Sequence, residues 1–353
     1  MIEALAYDLE TDLLIEIVKM LVTGDIDALD WRTKKLQQMG LLDRRAQELV
    51  NRYRVKILNG VDKEFERTIE NEIRIIRQGL PKTLRNQITM DTTTRMVMET
   101  WATQAKRNIN MSLVNITETT KATYINAINK ASLGYVTNTY TRDEALKQSI
   151  TQMKHLEVYL DTAGRRWTPE GYVSMVLKSN KRQVVTDLQL GAAQELGTDI
   201  IEVSEHAGAR PGCAPFQGRF FSTANRSGSI TDGAGNRIYF EPLSSTTYGQ
   251  PAGLFGINCG HRSKPFAPGI SIKGQKLDMT ADENREIYAQ SQQQRRIENQ
   301  IRTSKREIRK WEAAGDTQQV QRYKEQLAQN NARMKEFIKE SGRTRRTNRE
   351  RIY

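Results

Sequence analysis

The chain has 353 residues, 37% of them hydrophobic and 27% charged, with a net charge of +12. That length predicts two or three folded units, and the composition suits long helices with modest cores better than a single compact enzyme body. No stretch is apolar enough to span a bilayer, Glu3, Glu10, Asp12 and Glu16 rule out a signal peptide, and two cysteines make no disulfide framework, so folding in a reducing cytoplasm is expected.

Residues 1–82 read as helices. Leu5, Leu9, Leu13, Ile17 and Met20 or Leu21 recur every three or four positions and form one apolar stripe. Thr23-Gly24-Asp25 should end that helix, with Gly24 as a left-handed cap. Asp27 or Asp30 can start the next, and Gly40 is expected to close it. A longer helix carries Val61, Phe65, Ile69, Ile73 and Ile76 on one face and stops at Gly79-Leu80-Pro81. These amphipathic helices are expected to offer a face for docking a partner.

Residues 83–275 form a second segment. Val97, Trp101, Ile109, Leu113 and Ile116 keep helical spacing, and Met96, Met98 and Met111 read as gap-filling core. Thr141 and Glu144 make a capping signal, and Thr168-Pro169-Glu170 starts a further helix after a loop at 163–167, where Arg165 and Arg166 read as a surface turn. At residue 199 the texture changes: six of the eight prolines and twelve of the 23 glycines lie between 201 and 275. Residues 199–204, 219–222 and 237–240 read as short strands, with Asp232-Gly233-Ala234-Gly235-Asn236 as a turn between the last two. No Walker pattern occurs, and no G-x-G-x-x-G follows a strand.

From 276 to 342 the pattern is an antiparallel helical hairpin. Ile297, Ile301, Ile308 and Trp311 lie on its first helix, Ala314-Gly315-Asp316 breaks the run, and Val320, Tyr323, Leu327, Met334 and Phe337 lie on its second. Residues 343–353 form a basic tail, expected to be disordered until it meets a partner. Residues 295–353 hold 17 Lys/Arg against 8 Asp/Glu, or +9, whereas the first 294 hold 37 against 34, or +3. This asymmetry points to a polyanion, with Arg343, Arg345, Arg346, Arg349 and Arg351 as non-specific contacts to double-stranded DNA. The fold class expected is therefore mostly α with a small α+β domain. It has long N-terminal helices, a compact loop-rich β region at about 199–272, and a C-terminal helical hairpin.

Four of the five Cys and His residues gather in the glycine-rich window: His206, Cys213, Cys259 and His261. Three accounts of them stand beside one another. They can ligate a structural zinc, two thiolates and two imidazoles closing a tetrahedron. They can be buried thiols and histidines that hold two loops together by packing. Or Cys213 and Cys259 can form a disulfide. A catalytic cysteine with a histidine base is a fourth and weaker account, because no recognisable orienting carboxylate accompanies it, although Glu205 is nearby. His155 stands alone and reads as an ordinary surface or core residue.

The same window resembles the minor capsid (minor head) proteins of tailed bacteriophages, in the Mu-F-like superfamily. There a strand leads to a short arginine-bearing segment, a cysteine, a Gln/Asp-Gly turn and a strand. An Asn-Cys-x-His motif follows after a variable insertion. The matching positions are Arg210, Cys213, Gln217, Gly218, Asn258, Cys259 and His261. The family often places arginine between the second cysteine and the final histidine; this chain has Gly260 there and Arg262 after the histidine. The likeness is strongest over 199–272. It implies a non-enzymatic virion protein in the head interior or at the portal vertex, present in host cytoplasm during assembly. Its implied partners are the portal protein, packaged DNA and a major capsid or scaffold protein, with no membrane. Two rivals are an enzyme, such as the ADP-ribosyltransferases that some relatives carry, and a nucleic-acid-binding protein unrelated to virions. No nicotinamide-binding constellation is visible for the first.

Overall fold

The structure is a computed structural model that describes residues 2–24, 30–85, 89–137, 139–160, 164, 166–257 and 259–351. It is mostly helical with a small sheet, as the sequence predicts. Asn258, Arg165 and Asp27 lie outside the described residues.

The chain divides into two compact units. The first comprises Met1–Gly60, Arg107–Ser174 and Gln293–Tyr353, and the second Val61–Lys106 and Met175–Gln292. These do not follow the consecutive segments 1–82, 83–275, 276–342 and 343–353. The helices α3 (Met39–Gly79), α6 (Thr103–Val136), α8 (Pro169–Glu195) and α9 (Ala281–Ala314) each contain a boundary between the units.

In the first unit, α1 (Ile2–Val22) is a core helix. Leu9, Leu13, Ile17 and Leu21 of the predicted stripe are buried, and so are Tyr7, Asp8, Glu10, Thr11, Leu14 and Val18 on its other sides. A helix buried on most of its sides leaves little free apolar surface, so α1 offers a poorer face for docking a partner than its stripe suggests. Gly24 ends the helix with φ +83°. Then α2 (Trp31–Gln37) precedes α3, and Gly40 lies inside α3 rather than closing the helix before it. The predicted capping box opens α7 (Arg142–Gln152), where Thr141 and Glu144 exchange hydrogen bonds. The arms β1 (Tyr159–Leu160) and β2 (Arg166–Trp167) pair antiparallel, so Arg166 is strand rather than turn.

The helices α9 and α10 (Thr317–Ser341) form the predicted hairpin. Ile297 and Ile301 pack on Met334 and Phe337, Asp316 caps α10, and Gly342 closes it with φ +64°. The basic segment after it is folded along this hairpin and is not a free tail. Arg345 binds Glu350 and Asn331, Lys305 donates to the Glu350 carbonyl, and the Glu350 side chain is buried. An acidic residue inside the basic run supplies the internal partner that the net charge conceals.

In the second unit a five-stranded sheet has the order β5-β6-β4-β3-β7: β3 (Ile200–Val203), β4 (Phe220–Ser222), β5 (Gly228–Thr231), β6 (Arg237–Pro242) and β7 (Ser263–Pro265). The β4–β6 pair is parallel and the other three pairs of this sheet are antiparallel. Adjacent residues face opposite sides. Ile200, Phe220, Ile238, Phe240 and Phe266 form one core, while Ile201, Val203 and Phe221 join Cys213, Leu254, Phe255 and Cys259 in the other. Both sides of β3 are thus covered, and the loops that carry the cysteines build one of the covers.

Candidate metal centre

Strand β3 delivers the chain into a loop, 204–213, that is held from several directions. Asn284 pairs its side-chain amide with both the N–H and the C=O of Ala209, at 2.8 Å each. Gly208 takes φ +71° against Ile287, where a Cβ would sit 2.8 Å from Cγ2. Arg210 then donates to the carbonyls of Ile257 (2.9 Å) and Gly253 (3.0 Å), and its Nη2 lies 3.6 Å from Cys213 Sγ. One guanidinium thereby ties the first cysteine's loop to the approach of the second. On the far side, β7 pairs with β3 and holds the 259–262 segment beside Ser204, whose N–H donates to the Arg262 carbonyl at 2.9 Å.

Cys213, Cys259 and His261 are brought together by this folding. Each is at least 95% buried, and their donor atoms all lie within 4.8 Å of one another. Cys259 Sγ is 3.2 Å from His261 Nδ1. The Gln217 side-chain oxygen accepts from His261 Nε2 at 3.0 Å and from the His206 backbone N–H at 2.8 Å. A carbonyl oxygen can only accept, so it fixes the proton on His261 Nε2 and leaves the Nδ1 lone pair turned to sulfur. Gln217, matched in the sequence only through the family motif, therefore has a defined chemical task.

His206 stands next to this group. Its ring centroid is 4.4 Å from that of His261, and its Nδ1 is bound to the Ala207 carbonyl at 3.1 Å. By the same logic Nδ1 carries the proton. Nε2 is then a bare acceptor, and among the described residues it is buried without a hydrogen-bond partner. A Cβ at position 260 would lie 2.6 Å from that Nε2. Glycine stands at 260 because the His206 ring occupies the space. Arg262, one position beyond His261, pairs with the buried Glu72 at 3.0 Å.

The electrostatics are those of a shared proton. Hydrogen bonding to Cys213 holds the Cys259 thiol below its ordinary value, while the same bond followed by burial pushes Cys213 up. Burial lowers the His206 imidazole and keeps it neutral. Sequence reasoning missed Arg182 on α8, which donates to the carbonyls of both His261 (2.6 Å) and Cys259. In sequence it is one of many charged helix residues, and nothing marks it. Glu205 accepts from Leu277 N–H, so this carboxylate is engaged outside the Cys/His group. The two free cysteines are not disulfide-bonded.

The predicted nucleic-acid residues form a second grouping, in the other unit. Arg343 donates to Gln294 at 2.9 Å, and Arg349 lies 3.8 Å from the buried Glu298. Burial and then the nearby charge of Arg346 depress both Arg343 and Arg349. Arg346 and Arg351 are exposed, and Arg345 is committed to Glu350. His155 is less ordinary than expected. Its Nδ1 is 3.2 Å from Glu10, a residue buried in α1.

The model of the family described as phage minor capsid protein 2 matches residues 3–339. Among curated proteins, a structural protein of Lactococcus phage LL-H is 26% identical over 329 residues, covering 89% of this chain and 86% of that protein. A structural protein of Lactococcus phage mv4 is 32% identical over 108 residues, 30% of this chain and 85% of its own length. No solved structure matches. The chain belongs to the phage minor capsid protein 2 family.

Proposed function

We propose that this minor capsid protein is a non-enzymatic head component that sits at the portal vertex and touches the packaged genome. The structural role rests on family membership across nearly the whole chain and on relatives that are phage structural proteins. The observation that carries the DNA contact is the arginine grouping around Glu298. Arg343, Arg346 and Arg349 crowd one buried carboxyl together with Arg295, which contributes to lowering the same guanidinium groups. Glu350, which is committed to Arg345, and Glu3 also lie near this grouping, yet Arg346 stays exposed there, and phosphate is an anion that arginine forks bind well. A rigid, folded cluster also loses less entropy on binding than a free tail.

Docking on a portal protein falls to a surface other than α1. Leu133, Val136 and Tyr140 are exposed at and just after the end of α6, by 64%, 76% and 40%. Leu133 and Tyr140 line one open cavity, Val136 follows Leu133 by about one helical turn, and exposed apolar side chains grouped in this way suit a protein contact.

Binding to duplex DNA tests the first part. Affinity should fall steeply with salt and ignore sequence, since phosphate charge is what is read. Replacing Arg346 and Arg349 with alanine should flatten the salt slope by about 2. An unchanged slope refutes the assignment. Co-purification with the portal ring, abolished by Leu133→Glu with Val136→Glu, tests the second part. Retention of the complex by that variant removes the α6 patch from consideration.

A further inference from the structure

We propose that Cys213, Cys259 and His261 Nδ1 bind one structural zinc ion, with His206 Nε2 as its fourth ligand. Three converging donors carry the inference. Tetrahedral zinc holds S and N ligands ~3.5–3.8 Å apart, from Zn–S of about 2.3 Å and Zn–N of about 2.0 Å. The observed donors all lie within 4.8 Å of one another, so the widest pair must close by about 1 Å at most, while Cys259 Sγ and His261 Nδ1, at 3.2 Å, must open slightly. They sit on two loops that the sheet has already brought together, and all three are buried.

The surroundings are those of a metal site rather than of a disulfide or of plain packing. A metal-bound imidazole usually donates its other N–H to a fixed acceptor, and Gln217 Oε1 is that acceptor for His261. A Cys213–Cys259 disulfide would remove the sulfur partner of His261 Nδ1 and leave a buried lone pair bare. Plain packing already leaves one bare, at His206 Nε2, and gives no reason for it. A fourth coordination bond accounts for that orphan, and for a glycine at 260 that leaves the ring room.

The charges also balance. In the bound state both sulfurs are thiolates, any proton they held goes to solvent, and two thiolates neutralise the dication. Arg210, at 3.6 Å from Cys213 Sγ, then serves as an N–H donor to a metal-bound thiolate rather than as a counter-ion. Arg182 and Arg210 fix the carbonyls around the ligands, so the site is rigid before metal arrives.

The test uses the full chain, purified under reducing conditions without chelator. Metal analysis should find one zinc per chain, and X-ray absorption at the zinc edge should find two sulfur and two nitrogen ligands. Cobalt replacing zinc should give a tetrahedral spectrum with thiolate charge transfer. Cys213→Ser, Cys259→Ser and His261→Gln should each lose the metal, and His206→Gln should bind zinc about tenfold more weakly or worse. If the cysteine variants fail to fold, the wild-type absorption spectrum still counts the ligands. Metal-free protein with both thiols titratable overturns the proposal, as does a mass short of two hydrogens. Two sulfurs with one nitrogen and an oxygen would overturn the place given to His206.

Discussion

The carboxylate of Glu10 and the guanidinium of Arg306, each only 1% exposed, lie 3.2 Å apart and join α1 to α9. Glu10 also accepts from the Leu156 N–H at 2.9 Å, and Arg306 covers the Tyr7 ring at 4.9 Å. Nη1 faces Glu10 as an ion pair without hydrogen-bond geometry, and Arg306 Nε has no hydrogen-bond partner among the described residues. Removing either partner strands a buried charge, so Glu10→Ala or Arg306→Ala should each cost about 3–5 kcal/mol. Replacing both with methionine should cost less than either single change, since two desolvated charges are then avoided together. Urea denaturation of the four proteins checks this; a double variant as unstable as the sum of the singles contradicts it.

Much of this architecture was legible in residue spacing. The stripes in α1, α3, α9 and α10 are apolar at helical period, and a period survives whatever the helix packs against. How completely a helix is covered does not follow from period. Asp8, Glu10 and Thr11 look like a solvent face of α1, yet partners up to 296 positions away bury them. Strands β5 and β7 were missed for a different reason. β5 is largely exposed and has no alternation, and β7 ends in proline, so neither carries the usual signal. The Cys/His group was visible because both residue types are scarce elsewhere, which makes coincidence in one window informative. Asn258 lies outside the described residues, so its place in the motif is an expectation from sequence alone.

Arg182 shows what spacing cannot supply, and it can be tested directly. It sits on α8 and donates to the carbonyls of Cys259 and His261, the backbone of the candidate site. Hydrogen bonds from a charged donor contribute about 1.5–3 kcal/mol. Arg182→Ala should therefore lower stability by roughly that amount and loosen the 259–261 segment. The reaction of Cys259, normally 5% exposed, with a thiol reagent should speed up in native buffer. Unaltered thiol protection together with unaltered stability would show that these bonds hold nothing.

Gly260 should tolerate no side chain while His206 keeps its place. A Cβ there would sit 2.6 Å from Nε2, 3.1 Å from Cε1 and 3.2 Å from Cδ2 of that ring, and a rigid ring cannot yield at its tip. Gly260→Ala should cost about 1–3 kcal/mol, in the range of overpacked cores. Adding His206→Ala removes the obstacle, so the double variant should recover part of the loss. Melting temperatures of the two single variants and the double one decide it, because additive losses would mean that the two residues do not collide.

The turn between β5 and β6 should respond to acid through Asp232. This carboxylate is 2% exposed, and it accepts from Ala234 N–H (2.9 Å), Asn236 N–H (2.7 Å), Asn236 Nδ2 (3.0 Å) and Lys273 N–H (3.4 Å). The Asn236 side chain, followed by the backbone donors, holds its carboxyl below the ordinary range. A depressed value in the folded state means that the stabilising contribution is complete above the unfolded value, roughly pH 4, and disappears as pH falls through the folded one. Asp232→Asn keeps the shape but lacks the charge and swaps one acceptor oxygen for a donor. It should therefore destabilise the β5–β6 hairpin at neutral pH, and the gap to wild type should narrow once the native carboxyl is protonated. Amide exchange of the 228–242 segment, measured at both ends of that range, checks the sign. A penalty of equal size in acid and at neutrality would mean that shape, not charge, holds the turn.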